Sequence, residues 1–266
     1  MLQEHAETLF AALKISALLL CPLCVLPRVY AEDCQADLFD SAGVKIHYVT
    51  AGQGEAVVLI HGLYSNAMMN WQLPGTFKAL AANHQVIALD CRGHGESGKP
   101  TAEDAYGLQM VEDIARLLDH LKIEKAHIAG YSMGGMITLK FLAKHPERAL
   151  SGTLGGMGWL KEGSVLQKFW EDKDSLIGMV PGACIKGFSR FALTKEELES
   201  IKVPVKVLVG SRDPCKLLYV APLETVRKDW PVIEIEDAGH LNCIFKPRFI
   251  SEMKKWIDGN KVQSAK

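Results

Sequence analysis

A serine flanked by two glycines, in the run G-Y-S-M-G at residues 130–134, is the strongest chemical signal in the sequence. The run fits the pattern G-x-S-x-G, in which a serine lies on a sharp turn between a strand and a helix. Residues 125–130 have the pattern of a short strand, and residues 136–145 have that of a helix ending before a proline. On such a turn the serine hydroxyl stands clear of the sheet edge, so Ser132 is predicted to be a nucleophile.

A serine needs a base and an orienting acid to attack a carbonyl carbon, and both follow along the chain. Residues 204–210 form an apolar strand that runs into Asp213, and residues 232–235 alternate as a strand before His240. Parallel sheets carry their functional residues beyond the carboxyl ends of the strands. We therefore predict that Ser132 attacks, that His240 accepts its proton and that Asp213 fixes the tautomer of the imidazole ring. Asp237 lies only three residues before His240 and ranks second as the acid.

Two backbone N–H groups are candidates to stabilise the negative charge that develops on a substrate oxygen. One belongs to Met133, the residue after the nucleophile. The other belongs to Leu63, which follows the predicted strand 56–60 and the pair His61-Gly62. We predict that the N–H groups of Leu63 and Met133 form an oxyanion hole.

Together these motifs resemble the α/β-hydrolase superfamily, specifically its small single-domain, esterase-like members. The resemblance runs from about residue 38 to residue 257. It rests on His61-Gly62, the segment D-C-R-G-H-G-E-S at 90–97, the run at 130–134, the strand ending at Asp213 and Gly239-His240. It implies that the segment 90–97 has a mainly architectural role, so Asp90 and Arg92 brace a turn rather than bind substrate.

Strands and helices alternate along the chain, which indicates a doubly wound, mostly parallel α/β sheet with helices on both faces. Further strands are predicted at 44–50, 85–90 and 149–154, and further helices at 105–121, 216–228 and 247–257. Thr101 and Asp104 give a capping signal for the helix 105–121.

The alternation breaks between residues 155 and 203, where the resembled family inserts a cap. We predict one hydrolase domain at 32–266 with a short cap at about 156–202. Its apolar residues either bury the underside of the cap or line an acyl or aryl pocket; they are Trp159, Leu160, Leu166, Phe169, Trp170, Ile177, Met179, Val180, Phe188 and Phe191.

The first 31 residues are predicted to be a signal peptide or an N-terminal anchor. Residues 15–26 are an apolar run preceded by Lys14 and followed by Val29-Tyr30-Ala31, which is typical of a leader with a small-residue cleavage site. The run is short for a transmembrane span. We expect cleavage after Ala31, export to the periplasm or the exterior, and no stable membrane insertion afterwards. An uncleaved anchor is the alternative.

The composition argues against several classes of partner and cofactor. The formal net charge is −1, so no basic face for nucleic acid is indicated. Cys21 and Cys24 would be removed with the predicted leader, and no pair among the five remaining cysteines has the spacing of a zinc site, so neither a metal nor another cofactor is predicted. Cys215 and Cys243 follow Asp213 and His240 closely, so a disulfide between them is possible, although two buried thiols are the preferred reading.

These observations lead us to expect a cofactor-free serine hydrolase whose partner is a small-molecule ester with an apolar acyl or aryl group. On the same scaffold, carbon–carbon bond hydrolysis, lactone opening, amide cleavage and perhydrolysis remain alternatives. A non-catalytic small-ligand receptor is the alternative from another class. The sequence leaves the oligomeric state open.

Overall fold

The computed structural model describes residues 34–173 and 180–261. The segment 1–31, predicted to be a signal peptide or an anchor, lies outside the described residues, as do Ile177 and Met179 of the predicted cap. In the described parts of the chain, no helix is both long enough and apolar enough to cross a membrane.

Eight strands form one sheet at the centre of the molecule. They are β1 (Gln35–Ser41), β2 (Val44–Ala51), β3 (Ala56–Ile60), β4 (Gln85–Leu89), β5 (Ala126–Tyr131), β6 (Ala149–Gly155), β7 (Val205–Gly210) and β8 (Val232–Ile235). Their spatial order is β1-β2-β4-β3-β5-β6-β7-β8. β2 pairs antiparallel with β1 and β4, and all the other neighbours are parallel. The predicted α/β class and mostly parallel sheet are confirmed.

The helices lie between and after these strands. They are α1 (Thr76–Ala81), α2 (Leu108–His120), α3 (Met133–Lys144), α4 (Val165–Glu171), α5 (Gly182–Lys186), α6 (Lys195–Ser200), α7 (Ala221–Val226) and α8 (Pro247–Gly259). Short 3-10 turns occupy Glu103–Ala105, Pro146–Arg148, Gly187–Phe191 and Cys243–Phe245, and single π-helical turns occupy Met68–Gln72 and Lys216–Val220.

The central strands are buried because helices cover both of their faces, as in other parallel sheets. Alternate residues of β3 belong to different cores, since successive strand side chains point to opposite faces. Val58 and Ile60 pack with residues of α2 and α3, whereas Val57 and Leu59 pack with residues of α1 and α8. The sheet therefore separates two hydrophobic layers.

One predicted helix begins later than its capping signal indicated. The segment after Thr101 forms the turn Glu103–Ala105, and α2 begins at Leu108. Gly107 precedes α2 with a φ of 62° and no side-chain capping bond, so the predicted cap by Thr101 and Asp104 is wrong. A Cβ on Gly107 would lie 2.9 Å from the carbonyl oxygen of Gly187, so contact with a distant segment sets this helix start.

Two elements carried too weak a pattern to be predicted. Most of β1 is exposed, because this antiparallel edge strand has only β2 as a neighbour. Helix α1 is six residues long, and its start at Gly75 has no side-chain capping bond. Neither element has the long periodic pattern that identifies helices and strands in a sequence.

The segment predicted as a cap carries α4, α5 and α6 between β6 and β7. Helix α6 begins with a capping box, in which Thr194 and Glu197 each accept a hydrogen bond from the other's backbone N–H. Lys140 on α3 holds this part of the segment, since its Nζ lies 3.0 Å from the carbonyl oxygen of Ala192 and 3.1 Å from Oε1 of Glu197. The end of the segment is thereby fixed to the helix that follows Ser132.

Two buried histidines determine how the fold should respond to acid. Burial lowers the pKa of His94 to about 3 and that of His127 to about 4. In an unfolded chain a histidine titrates near about pH 6.5. At pH values between about 6.5 and about 4, the unfolded chain therefore binds protons that the folded chain does not, and the free energy of unfolding falls as the pH is lowered.

We expect His94→Gln to flatten this acid dependence by about 1.4 kcal/mol per pH unit, which is the contribution of one histidine. Urea unfolding at several pH values between about 7 and about 5 measures the slope. His120→Gln is the control, because it makes the same change at an exposed position. An equal flattening in both variants would show that the burial of His94 is not the cause.

Candidate active site

The turn between β5 and α3 holds Ser132 in an uncommon backbone conformation. Its φ is 54° and its ψ is −116°, a region that a residue with a side chain occupies only when its surroundings require it. The surroundings do so through close packing. A Cβ on Gly134 would lie 2.0 Å from the carbonyl oxygen of Ile60, and one on Gly130 would lie 2.0 Å from that of Gly134. Glycine is therefore required at both flanks of the serine.

Ser132, His240 and Asp213 form one hydrogen-bonded chain, called here the Ser–His–Asp array. Nε2 of His240 lies 2.9 Å from Oγ of Ser132, and Nδ1 lies 2.8 Å from Oδ2 of Asp213. All three side chains are buried. Because the carboxylate can only accept, Nδ1 carries the proton and Nε2 is left to accept from the serine hydroxyl. The structure thus brings together the three residues that the sequence singled out.

Asp237 and Asp90, the other acids weighed from the sequence, lie elsewhere. The side chain of Asp237 is 85% exposed and pairs with Arg212 at 3.2 Å. Asp90 accepts hydrogen bonds from the N–H groups of Ala67 and Glu96 and is 3.0 Å from Nδ1 of His47. These bonds hold the pKa of Asp90 below its usual value despite its burial.

Arg92 binds no part of the Ser–His–Asp array. Its Nε and Nη2 donate to the two carboxylate oxygens of the buried Asp113 at 2.7 and 2.5 Å, and Nη1 donates to the carbonyl oxygen of Ala105 at 2.7 Å. Such a bidentate pair fixes the guanidinium plane. The geometry agrees with the bracing role expected for this turn.

Tyr131 holds the base in place, and sequence reasoning did not identify it. Its hydroxyl donates a hydrogen bond to the backbone carbonyl of His240, and the two ring centroids are 5.5 Å apart. Phe249 packs against the same tyrosine ring at 5.8 Å. The run G-Y-S-M-G contained Tyr131, but nothing in the sequence indicated a bond to a residue 109 positions away.

The loop after β3 presents Leu63 beside the nucleophile. Oδ1 of Asn70 accepts from the N–H of Gly62 at 2.7 Å. The Gly62 carbonyl is 2.7 Å from Nδ1 of His61, while Nε2 of His61 accepts from the N–H of Cys91 at 2.9 Å. Since Nε2 accepts, Nδ1 carries the proton and donates to Gly62. Burial lowers the pKa of His61, which keeps the ring neutral.

These bonds orient the N–H group of Leu63. In a trans peptide the C=O and N–H groups point in opposite directions, so a Gly62 carbonyl held by His61 directs the N–H of Leu63 away from that ring. Among the described residues, neither this N–H nor that of Met133 donates to a protein acceptor. Both donors therefore remain available to a substrate oxygen.

A small apolar pocket lies over the nucleophile. The described lining is apolar except for the serine itself and consists of Leu63, Ser132, Met133, Met136, Met157, Trp170 and Phe188. Trp170 and Phe188 come from the predicted cap, while Leu166 and Phe191 are buried without lining the pocket. The lining is that of a site for an apolar group.

The cysteines near the Ser–His–Asp array are free thiols. Cys215 and Cys243 are both buried and are not joined, so the possible disulfide between them is absent. The backbone N–H of Cys215 donates to Oδ1 of Asp213 at 2.8 Å. Burial raises the pKa of Cys215 well above its usual value and that of Cys243 to about 12. Both thiols therefore stay protonated at neutral pH.

A mostly parallel sheet with a serine on this kind of turn defines the α/β-hydrolase class. The sequence agrees, since the profile of the family described as "alpha/beta hydrolase fold" matches residues 55–174. The chain therefore has the α/β-hydrolase fold, and residues 55–174 match the model of that family.

Among solved structures, a serine hydrolase from the polyaromatic hydrocarbon-degrading bacterium Cycloclasticus zankles superposes with a TM-score of 0.71. The match is 24% identical and covers 85% of this chain and 98% of that one. At this level of identity the likeness concerns the fold alone.

Sequence relatives are enzymes with varied names. The chain is 41% identical over 119 residues to the dihydrolipoyllysine-residue acetyltransferase component of the acetoin cleaving system of Pseudomonas putida, covering 44% of this chain and 31% of that protein. It is 31% identical over 189 residues to 2-hydroxymuconate semialdehyde hydrolase of Pseudomonas sp. (strain CF600), covering 68% and 65%. The chain spans only part of the length of the curated relatives it matches, about half in the case of a putative carbamate hydrolase.

We expect His61→Ala to lower kcat by about tenfold to hundredfold with little change in KM, because it releases the Gly62–Leu63 peptide and so frees the direction of the Leu63 N–H. Complete loss of such a hydrogen-bond donor lowers kcat by about 100- to 1000-fold, so a misdirected donor should cost less. Steady-state kinetics with an ester substrate measure the effect. His94→Ala is the control, since this buried ring lies 5.0 Å from that of His61 and makes no bond to Gly62 or Leu63. Equal losses in the two variants would contradict the orienting role.

Proposed function

We propose that the protein is a serine hydrolase that cleaves carboxylic esters of small apolar acyl or aryl groups through an acyl-enzyme. The observation that carries the proposal is the Ser–His–Asp array with Ser132 held at a φ of 54° beneath an apolar pocket. In the proposed reaction, Oγ of Ser132 attacks the ester carbonyl carbon while Nε2 of His240 takes the hydroxyl proton. Asp213 stabilises the imidazolium that forms.

The two free N–H groups would bind the carbonyl oxygen as it becomes negatively charged. The donors are those of Leu63 and Met133, which both line the pocket beside Ser132. The imidazolium of His240 then passes its proton to the departing alcohol, and the acyl group remains on Ser132. Water, activated by the same ring, would release the acid and restore the serine. The proposed cycle needs only these residues, the ester and water.

The character of the pocket favours an ester of a small apolar acid over the substrates named for some relatives. 2-Hydroxymuconate semialdehyde hydrolase carries the name of a carboxylate substrate, and an anion of that kind needs a basic or amide partner when it is buried. The described pocket lining contains no basic or amide side chain. This observation supports ester cleavage, and we propose carbon–carbon bond hydrolysis as the second candidate.

Substitution within the Ser–His–Asp array tests the proposed mechanism. We expect Ser132→Ala and His240→Ala each to lower kcat on p-nitrophenyl butyrate by roughly 10⁴-fold or more, and the double variant to lose little beyond that, because the residues act as a unit. Circular dichroism and thermal unfolding check that each variant is folded. Near-normal turnover by folded Ser132→Ala would contradict a serine nucleophile.

A matched pair of substitutions tests the acid. Asp213→Asn should lower kcat by roughly 10⁴-fold, because an amide stabilises the wrong tautomer of His240. Asp237→Asn makes the same change three residues from His240 in an exposed pair and should leave kcat near the original value. A larger loss of kcat in Asp237→Asn than in Asp213→Asn would show that Asp237 is the acid and that the assignment of Asp213 is wrong. Stoichiometric ester binding without turnover by the unaltered protein would support the receptor alternative.

The acyl chain-length dependence tests the proposed substrate size. Each buried methylene gains about 0.8 kcal/mol, or about fourfold in kcat/KM, so the rate should rise over the first acyl carbons and fall once the pocket is full. A series of p-nitrophenyl esters from acetate to palmitate measures this. Met157→Ala should move the maximum to longer chains, while Met253→Ala, a buried methionine in the other core, should not. A maximum at palmitate would contradict a small-acyl pocket.

A further inference from the structure

Three potential metal ligands converge behind the nucleophile. A carboxylate oxygen of Asp213, Sγ of Cys215 and a ring nitrogen of His240 all lie within 4.8 Å of one another, and all three residues are buried. Within residues 34–173 and 180–261, no other set of three His, Cys, Asp or Glu side chains meets this distance. The group combines sulfur, nitrogen and oxygen donors, the set that Zn²⁺ uses in proteins.

His240 and Cys215 both contact the carboxylate of Asp213. Oδ2 of Asp213 lies 2.8 Å from Nδ1 of His240, and Oδ1 accepts from the backbone N–H of Cys215 at 2.8 Å. Bond lengths of about 2.0 Å to nitrogen or oxygen and about 2.3 Å to sulfur require ligand atoms about 3 to 4 Å apart. A small separation of Asp213 and His240 would admit the cation.

We propose that Asp213, Cys215 and His240 form an inhibitory binding site for a soft divalent cation such as Zn²⁺ or Cd²⁺. Thiolate and imidazole ligands favour these ions over Mg²⁺ or Ca²⁺, which prefer oxygen. The inhibition rests on the function proposed above, whereas the binding itself does not.

The binding step balances in protons and charge. The Cys215 thiol loses its proton to solvent, and the thiolate and the Asp213 carboxylate together neutralise the two charges of the cation. The metal takes the lone pair of Nδ1 of His240, so the proton on Nδ1 moves to Nε2 and the ring stays neutral. Nε2–H can then only donate to Ser132. The base can no longer accept the serine proton, which explains the inhibition.

A neighbouring cysteine supplies a matched control. Cys243 is buried near Asp213 and Tyr131, but it is not part of the ligand group. The substitution Cys243→Ser therefore changes a buried thiol of the same region without removing a proposed ligand.

The experiment titrates the full chain with Cd²⁺ and records the ultraviolet charge-transfer band of the cadmium–thiolate bond beside the rate of p-nitrophenyl butyrate hydrolysis. We expect band and inhibition to saturate together and to reverse with EDTA. Cys215→Ser should raise the half-saturating and half-inhibiting Cd²⁺ concentrations at least about tenfold. Even the loss of a residue that only hydrogen-bonds to a metal ligand typically lowers metal affinity by about that factor. Cys243→Ser should leave both concentrations unchanged, each variant being compared with its own metal-free rate.

Several outcomes would overturn the site: no band in the unaltered protein, or the same band and inhibition in Cys215→Ser. If Cys215→Ser does not fold, His240→Ala provides the test, because it should weaken Cd²⁺ binding at least about tenfold by the band alone. A Cys215-dependent band in a protein without ester turnover would retain the metal site and reject the proposed function. Ester turnover without such a band would retain the proposed function and reject the metal site.

Discussion

The close packing around Ser132 is the constraint on which the rest of the structure depends. Strands β3 and β5 and helix α3 approach so tightly at Gly130 and Gly134 that no side chain fits at either position. The backbone of Ser132 therefore has no relaxed alternative and stays in a conformation that costs about 1 to 3 kcal/mol by itself. Because this turn is attached to two central strands, the serine hydroxyl has a defined position relative to every loop that leaves the same edge of the sheet.

The sheet order explains why distant residues meet at that edge. Strand β5, which leads to the serine, lies between β3 on one side and β6, β7 and β8 on the other. Leu63 follows β3, while Asp213 and His240 follow β7 and β8. Parallel strands release all these loops at their carboxyl ends. The Leu63 loop thus approaches the serine from one flank and the loops of Asp213 and His240 approach from the other, where Tyr131 on β5 donates a hydrogen bond to the backbone carbonyl of His240.

Local patterns predicted seven of the eight described strands, four of the eight described helices and the residues of the Ser–His–Asp array, because a strand followed by a turn and a reactive side chain is visible in a short window. The start of α2 was not predictable, since Gly107 responds to contact with Gly187. Asn70 and Tyr131 were not predicted for a similar reason. Their importance depends on which atom each one contacts after folding, and side-chain type alone does not carry that information. The sequence also left open whether the apolar residues of the cap bury its underside or line a pocket. Only the structure separates the two roles, because Trp170 and Phe188 line the pocket over Ser132.

The bonds of His61 have a consequence for how the sequence can vary. This ring joins the donor loop at Gly62 to the segment 90–97 at Cys91, and Asp90 in turn joins that segment to Ala67 and His47. The position of the Leu63 N–H, a donor in the proposed mechanism, thus depends on side chains that do not line the pocket. Distance from the substrate is consequently a poor guide to mutational tolerance in this part of the chain. We expect related sequences to diverge more freely at Trp170 and Phe188, which line the pocket, than at His61 and Asp90, which do not.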